Sequence, residues 1–352
     1  MSGCDYGNTR LRARYASCLD RADYEALMSA GGLDQMLGSL AAGIYAPDVE
    51  AAVARYRGLR RVDETVRRHL EREYASTLSF YEGEERAALA LVAERWDIRN
   101  LTALIRAQGS PGGASEVVGW LVAAGRIDAA ALAELASQPS IRALVDLAIA
   151  WRIPDSDTAA VLARALPDFD ASGDSVVLEA AIHRAFASRL EKAYRERPED
   201  AVAAVLHVEL VALAVTLALR LWAARLAGEA QIDPASVVIS STIPLPVVES
   251  VGTAGERDDV AAILVGCLLP PGFDGALDRW RRHGDLPLLA DELGVAVVRI
   301  AQVALRRDPL GLGVPVGYLW VKESEGRNLR LIGRGHVHGL DPTVVGERLT
   351  IP

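Results

Sequence analysis

Lysine is almost missing: Lys192 and Lys322 are the only two in 352 residues. Neither follows a glycine, which excludes a Walker A phosphate loop with its Gly-Lys pair. Cysteine is nearly as scarce. Cys4, Cys18 and Cys267 are odd in number, far apart and form no C-x-x-C. That excludes a disulfide framework and a structural zinc site and points to a reducing compartment. G-x-S-x-G and H-E-x-x-H are absent, and the amino-terminal residues contain no apolar signal-like run. His207-x-Glu209 opens like a zinc deaminase motif, but no P-C-x-x-C follows it. His336-x-His338 lacks a third metal ligand and reads as a surface turn. Gly311-x-Gly313 and Gly333-x-Gly335 lack the strand-turn-helix setting of a dinucleotide fingerprint. No convergent set of acids, bases or ligands remains, so no catalytic, cofactor-binding or metal-binding residues are assigned.

What is present describes a folding, helical chain. Hydrophobic residues make up 51% and charged residues 24%, the balance of a globular protein. Aromatics are only 5% while alanine and leucine are abundant, which favours helices over β-sandwiches. A net charge of −9 argues against a nucleic-acid surface. The most membrane-like stretch, residues 201–227, has an uninterrupted apolar run only from Leu210 to Leu219, apart from Thr216. Glu209 and Arg220 bracket that run. A spanning helix needs about 20 apolar residues, so this stretch reads as a buried core helix.

One polar-apolar pattern is written twice. Asp97-Ile98-Arg99-Asn100-Leu101 and Glu325-Gly326-Arg327-Asn328-Leu329 both place Arg at +2, Asn at +3 and Leu at +4 from the acid. Both continue with an aliphatic residue at +7 and Arg at +9, namely Arg106 and Arg334. A thinner copy keeps Asp5, Asn8 and Arg14. On a helix the acid, Asn and leucines share one face, while Arg99, Arg106, Arg327 and Arg334 point away. The pattern therefore predicts acid and Asn buried against a neighbouring backbone, with the arginines, Arg14 included, facing partners. A paired-carboxylate catalytic site would need a second acid at fixed spacing, and none recurs.

A second recurrent step is an aliphatic residue, then Asp, then a helix. It occurs at Leu19-Asp20, Ile127-Asp128, Ile232-Asp233-Pro234 and Leu340-Asp341-Pro342. Aspartate is placed there as an N-cap, with proline at the first helical position in the last two. From Asp128 to Asp233 is 105 residues, and from Asp233 to Asp341 is 108. Between the two full motifs, Glu209 stands 112 residues after Asp97 and 116 before Glu325, yet its +3 and +9 positions are Ala212 and Ala218. Units of this length are domain-sized, well beyond solenoid repeats of about 20–50 residues. The expectation is an all-α protein of three similar helical domains, 1–115, 116–228 and 229–352, around a pseudo-threefold axis.

Local signals add detail. Residues 8–45 predict two or three short helices interrupted at Gly31-Gly32. One long helix is expected from about Asp48 into the seventies, with an arginine-rich stripe and helix-stabilising spacings Asp63–Arg67 and Glu64–Arg68. The stripe is either a solvated face or a docking surface for an acidic partner. Another helix runs from about Glu84 to Gln108, ended by the breakers Gly109-Ser110-Pro111-Gly112-Gly113. Residues 236–242 (SVVISST) and 314–321 (VPVGYLWV) carry extended character and are read as irregular or short helical segments.

Three stretches resemble one family. Tyr318-Leu319-Trp320 with Glu323, Glu325, Arg327, Asn328 and Arg330 looks like the carboxyl-terminal signature of the C subunit of V-type and archaeal-type (A-type) ATPases, the prokaryotic counterpart of the eukaryotic d subunit. Tyr6-Gly7-Asn8-Thr9-Arg10 and Arg95-Trp96-Asp97 are similar to its opening and internal repeat. The resemblance implies a funnel-shaped, all-helical, non-catalytic part of the central rotor. It would sit as a socket between the central shaft (D/F-type subunits) and the membrane proteolipid ring, cytoplasmic and touching the membrane only through the ring. An excess of Arg over Lys suits a GC-rich bacterial source. Without the resemblance, the residues themselves fit a helical-repeat scaffold that binds another protein.

Overall fold

The computed structural model describes residues 4–110, 113–114, 117–197, 200–228 and 233–351. Among them every regular element is helical, and the one extended pairing is an isolated bridge between Ser240 and Ile243. Pro111, Gly112 and Ile232 of the segments above lie outside the described residues.

The helices follow a recurring order. Three short ones, α2 (Arg21–Met28), α3 (Leu33–Ala41) and α4 (Ala46–Arg55), lead to two long ones, α5 (Arg60–Ser79) and α6 (Gly83–Gln108). The order returns as α7 (Ala129–Ala136), α8 (Ile141–Trp151) and α9 (Ser156–Ser172), then α10 (Val176–Glu196) and α11 (Ala201–Leu226). After the single turn α12 (Pro234–Val237) it comes again as α13 (Leu245–Thr253), α14 (Arg257–Val265) and α15 (Phe273–His283), then α16 (Leu286–Arg307) and α17 (Gly313–His338). Besides α12 and a 3-10 turn at Val118–Trp120, α1 (Asp5–Tyr15) and α18 (Pro342–Gly346) stand outside this order. The closing long helices α6, α11 and α17 have 26 residues each.

All four Asp residues of the aliphatic-Asp step cap helices. Asp20 makes a full capping box with Asp23, and Asp128, Asp233 and Asp341 accept from Ala131, Ala235 and Thr343 backbone N–H groups. Each such cap stabilises its helix by roughly 0.5–2 kcal/mol.

Three expectations are corrected. The helix from Asp48 into the seventies is broken: α4 ends at Arg55, Tyr56 is extended, and Gly58 turns the chain at φ +56° before α5. The break lets α4 fold back on α5, where the buried Asp48 reaches His69 at 3.1 Å and Arg72 at 2.6 Å. On α5 the pair Asp63–Arg67 does not form either. Arg67 binds Glu64 and Glu71, each at 2.7 Å, and Asp63 faces Arg330 at 3.4 Å. Residues 314–321 are helical throughout, inside α17. Pro315 sits in the first turn, where a missing N–H costs nothing. The β-branched character there reflects a helix buried on all sides, from Gly313 to Lys322 without interruption.

By compactness the chain divides into residues 1–137 with 301–352, and residues 138–300. In the first unit α17 packs on α5, whose buried Val62, Val66, Leu70 and Tyr74 recur at helical spacing. In the second, α11 is the core element. Leu210, Val211, Val215, Leu219 and Trp222 pack with Val248, Val260, Phe273 and Trp280. Helix α11 is long and apolar enough to cross a membrane, but 67% of its most apolar window is buried inside the protein.

Candidate functional site

The two full motifs build the same device. On α6, Asp97 is fully buried and accepts from the backbone N–H groups of Arg126 at 2.8 Å and Ile127 at 3.0 Å. Gly125 makes room for this, since a Cβ there would collide with the Asp97 carboxylate. One turn on, Asn100 grips one residue twice. Its Nδ2 donates to Val122 O at 2.8 Å, and its Oδ1 accepts from Val122 N at 3.1 Å.

On α17, Glu325 is fully buried and its Oε1 accepts from Leu19 N at 2.7 Å. Asn328 Nδ2 donates to Thr350 O at 2.8 Å and its Oδ1 accepts from Thr350 N at 3.0 Å. Both asparagines reach 22 residues ahead. Both acids hold the N–H of the residue just before a capping aspartate: Ile127 before Asp128, Leu19 before Asp20. Each clasp therefore fixes a long helix to the entry of a short one. Because Asn100 and Asn328 make matching bonds, Asn328→Ala and Asn100→Ala should each cost about 1–3 kcal/mol. The exposed Arg106→Ala should stay within about 0.5 kcal/mol. Chemical denaturation of the three variants tests this, and an unmoved midpoint for Asn328→Ala would sink the argument.

The thinner copy differs. Asp5 is only half-buried, in the first turn of α1, while Asn8 is buried, donates to Gly311 O at 3.0 Å and accepts from Tyr81 Oη at 2.7 Å. The arginines are more engaged than helix phase implies. Arg14 pairs with Glu73 at 3.2 Å and Arg99 with Glu323 at 2.8 Å. Arg327 donates to Thr350 Oγ1, and Arg334 lies 5.1 Å over the Trp120 ring. Long guanidinium stems bend back to nearby acceptors, and of the set only Arg99 and Arg106 remain exposed. His336 binds Leu27 O at 2.8 Å, and His207 stacks on Tyr194 at 4.6 Å.

Around α17 lies a buried polar network that the repeated motif does not announce. Lys322 and Glu325, both with no exposed side-chain surface, form an ion pair on consecutive turns. Tyr45 donates to the same Glu325 oxygen at 2.6 Å. Tyr318 donates to Glu73 at 2.6 Å, while Arg95 and Tyr74 both bind Glu323. Arg95 also stacks 3.7 Å over Trp320. One signal in the sequence pointed here: one of only two lysines stands inside an otherwise apolar helical stretch. Burial sets the protonation chemistry of the network. It pushes the Tyr45 phenol well up, helped by the Glu325 charge, and holds His69 below its ordinary value despite Asp48. Asp97 is raised to about 6, chiefly by desolvation and further by the nearby Glu94 charge, while its two backbone bonds pull the other way.

The surface cavity of about 480 Å³ bordered by Tyr56, Arg60, Glu64, Arg67, Trp120 and Leu132 adds no reactive group. Of its carboxylates, Glu64 and Glu71 are engaged with Arg67 and Asp63 with Arg330. The arrangement as a whole is suited to holding helices in fixed register.

The profile of the ATP synthase (C/AC39) subunit family matches residues 7–348. The chain belongs to that family. Full-length similarity to individual members agrees. The C subunit of the A-type ATP synthase of Haloferax volcanii is 24% identical, covering 99% of this chain and 98% of its own. That of Halobacterium salinarum is 25% identical over 99% and 97%. The C subunit of the V-type ATP synthase of Deinococcus radiodurans is 25% identical over 95% and 88%. As a member of the C/AC39 family, the chain carries its clasps at positions inside the matched region, with Glu325 and Asn328 on one helix and Asp97 and Asn100 on another.

Proposed function

We propose that this C/AC39 protein is a non-catalytic component of the central rotor, a socket that couples the central shaft (D/F-type subunits) to the membrane proteolipid ring. The observation that carries the reading is the family match across nearly the whole chain, with relatives of both A-type and V-type enzymes at full length. The recurring order of helices supports three similar domains; in this reading they surround a pseudo-threefold axis as a funnel. The clasps support a mechanical role, because buried, fully bonded polar networks stiffen a core and specify one arrangement. A part that passes torque must not shear between its own helices. In this reading the protein is cytoplasmic and meets the membrane only through the ring.

Affinity purification of the tagged full chain in mild detergent tests the proposal. Shaft subunits and the proteolipid ring should be retained together. Their absence from a complex that still contains the catalytic subunits would overturn it in favour of a helical scaffold with another partner.

A further inference from the structure

The amino-terminal motif copy, Asp5 to Arg14, builds a surface rather than a clasp. Helix α1 staples the turn between α16 and α17. Asn8 Nδ2 donates to Gly311 O at 3.0 Å and Arg12 Nη2 donates to Pro309 O at 2.5 Å. Asp308 closes the same turn by accepting from Gly311 N at 2.9 Å and Gly313 N at 3.0 Å. The tip of this heavily bonded turn is Leu310, which is 68% exposed. On the other flank of α1, Tyr6 is 59% exposed and meets Phe80 edge-on at 6.1 Å. Arg10 lies 5.0 Å over the Phe80 ring and donates to Tyr6 Oη. Between the flanks the outward line of the helix is Thr9 and Ala13, both exposed.

Leu310 is held outward by the bonds to Pro309 and Gly311 on either side of it. The guanidiniums beside it are pre-positioned in the same way. Arg10 is held by aromatic rings and a hydroxyl, and Arg12 by a carbonyl, and no carboxylate bonds to either among the described residues. Tyr, Phe and Arg fixed in place are the residue types that anchor protein interfaces. Planar guanidiniums match carboxylates in bidentate geometry.

We infer that the outer face of α1, with Tyr6, Arg10, Arg12 and Leu310, docks an acidic amphipathic helix of a neighbouring protein of the assembly, its apolar stripe on Tyr6 and Leu310 and its carboxylates on Arg10 and Arg12. This rests on the chain working inside the ATPase assembly. The test uses the ATPase complex purified from cells deleted for this chain, to which full-length wild type, Arg10→Glu or Leu310→Ser is added back. Wild type should rejoin the complex. Both variants should keep the wild-type melting temperature and bind about tenfold more weakly or worse, with the Arg10→Glu difference shrinking at high salt. If wild type rejoins and both variants rejoin equally well, the docking surface is wrong while the assembly reading stands. If wild type does not rejoin, the assembly reading fails and takes this inference with it. Variants that lose affinity for phosphatidylglycerol vesicles but not for the complex would assign the face to lipid and overturn the proposal.

Discussion

Glu325→Ala is expected to destabilise the unit containing α17 by about 3–5 kcal/mol. The truncation leaves Lys322 as a charge with no exposed surface and no counter-ion. It also strips the Leu19 N–H and the Tyr45 hydroxyl of their acceptor. These contributions can be separated. In Lys322→Met/Glu325→Leu the charge problem disappears, so that double variant should recover much of the loss. The unpaired N–H and hydroxyl should still cost about 1–3 kcal/mol each. Denaturant midpoints for the single and double variants decide the matter. If Glu325→Ala melts like the wild type, Glu325 is not the centre of the network.

Asp97→Ala is the second large effect, with a pH signature of its own. Two backbone N–H groups lose their acceptor, at about 1–3 kcal/mol each. Against this stands the cost of burying the charge, since the folded-state value is raised from 3.8 to about 6. A raised acid binds its proton more tightly in the folded state, so its contribution grows as pH falls through 6 and is complete below the ordinary value. The gap corresponds to about 3 kcal/mol. The stability difference between wild type and Asp97→Ala should therefore widen between pH 7 and pH 4. A difference that stays flat or narrows would show that the backbone bonds, rather than desolvation, govern Asp97.

Much of this architecture was legible in the sequence because it rests on local chemistry. Asp20, Asp128, Asp233 and Asp341 announce helix starts by a side chain that reaches two or three residues ahead. The inward face of Asp97, Asn100, Glu325 and Asn328 follows from helix phase alone. What stayed hidden depends on distant partners. Nothing local says that Arg14 will find Glu73, that Arg327 will find Thr350, or that Tyr45 will share a carboxylate with Lys322. Residues 314–321 misled for a related reason. Valine and proline argue for extended backbone only where packing does not intervene, and here neighbours enclose the helix on every side. Asp48 misled through its context. Its continuous helical spacing into α5 was overridden by one left-handed glycine and by the bonds that the buried Asp48 makes to His69 and Arg72.

The bond between Glu325 and Leu19 spans 306 residues of sequence. At a synthesis rate of about 5–20 residues per second, Leu19 emerges roughly 15–60 s before the carboxylate that will hold it. Asp97 and Ile127, only 30 residues apart, meet within a few seconds at the same rate. One clasp can close on the ribosome, whereas the other stays open through nearly all of translation. Until then the α2 side chains Tyr24 and Leu27, buried in the folded protein, face water.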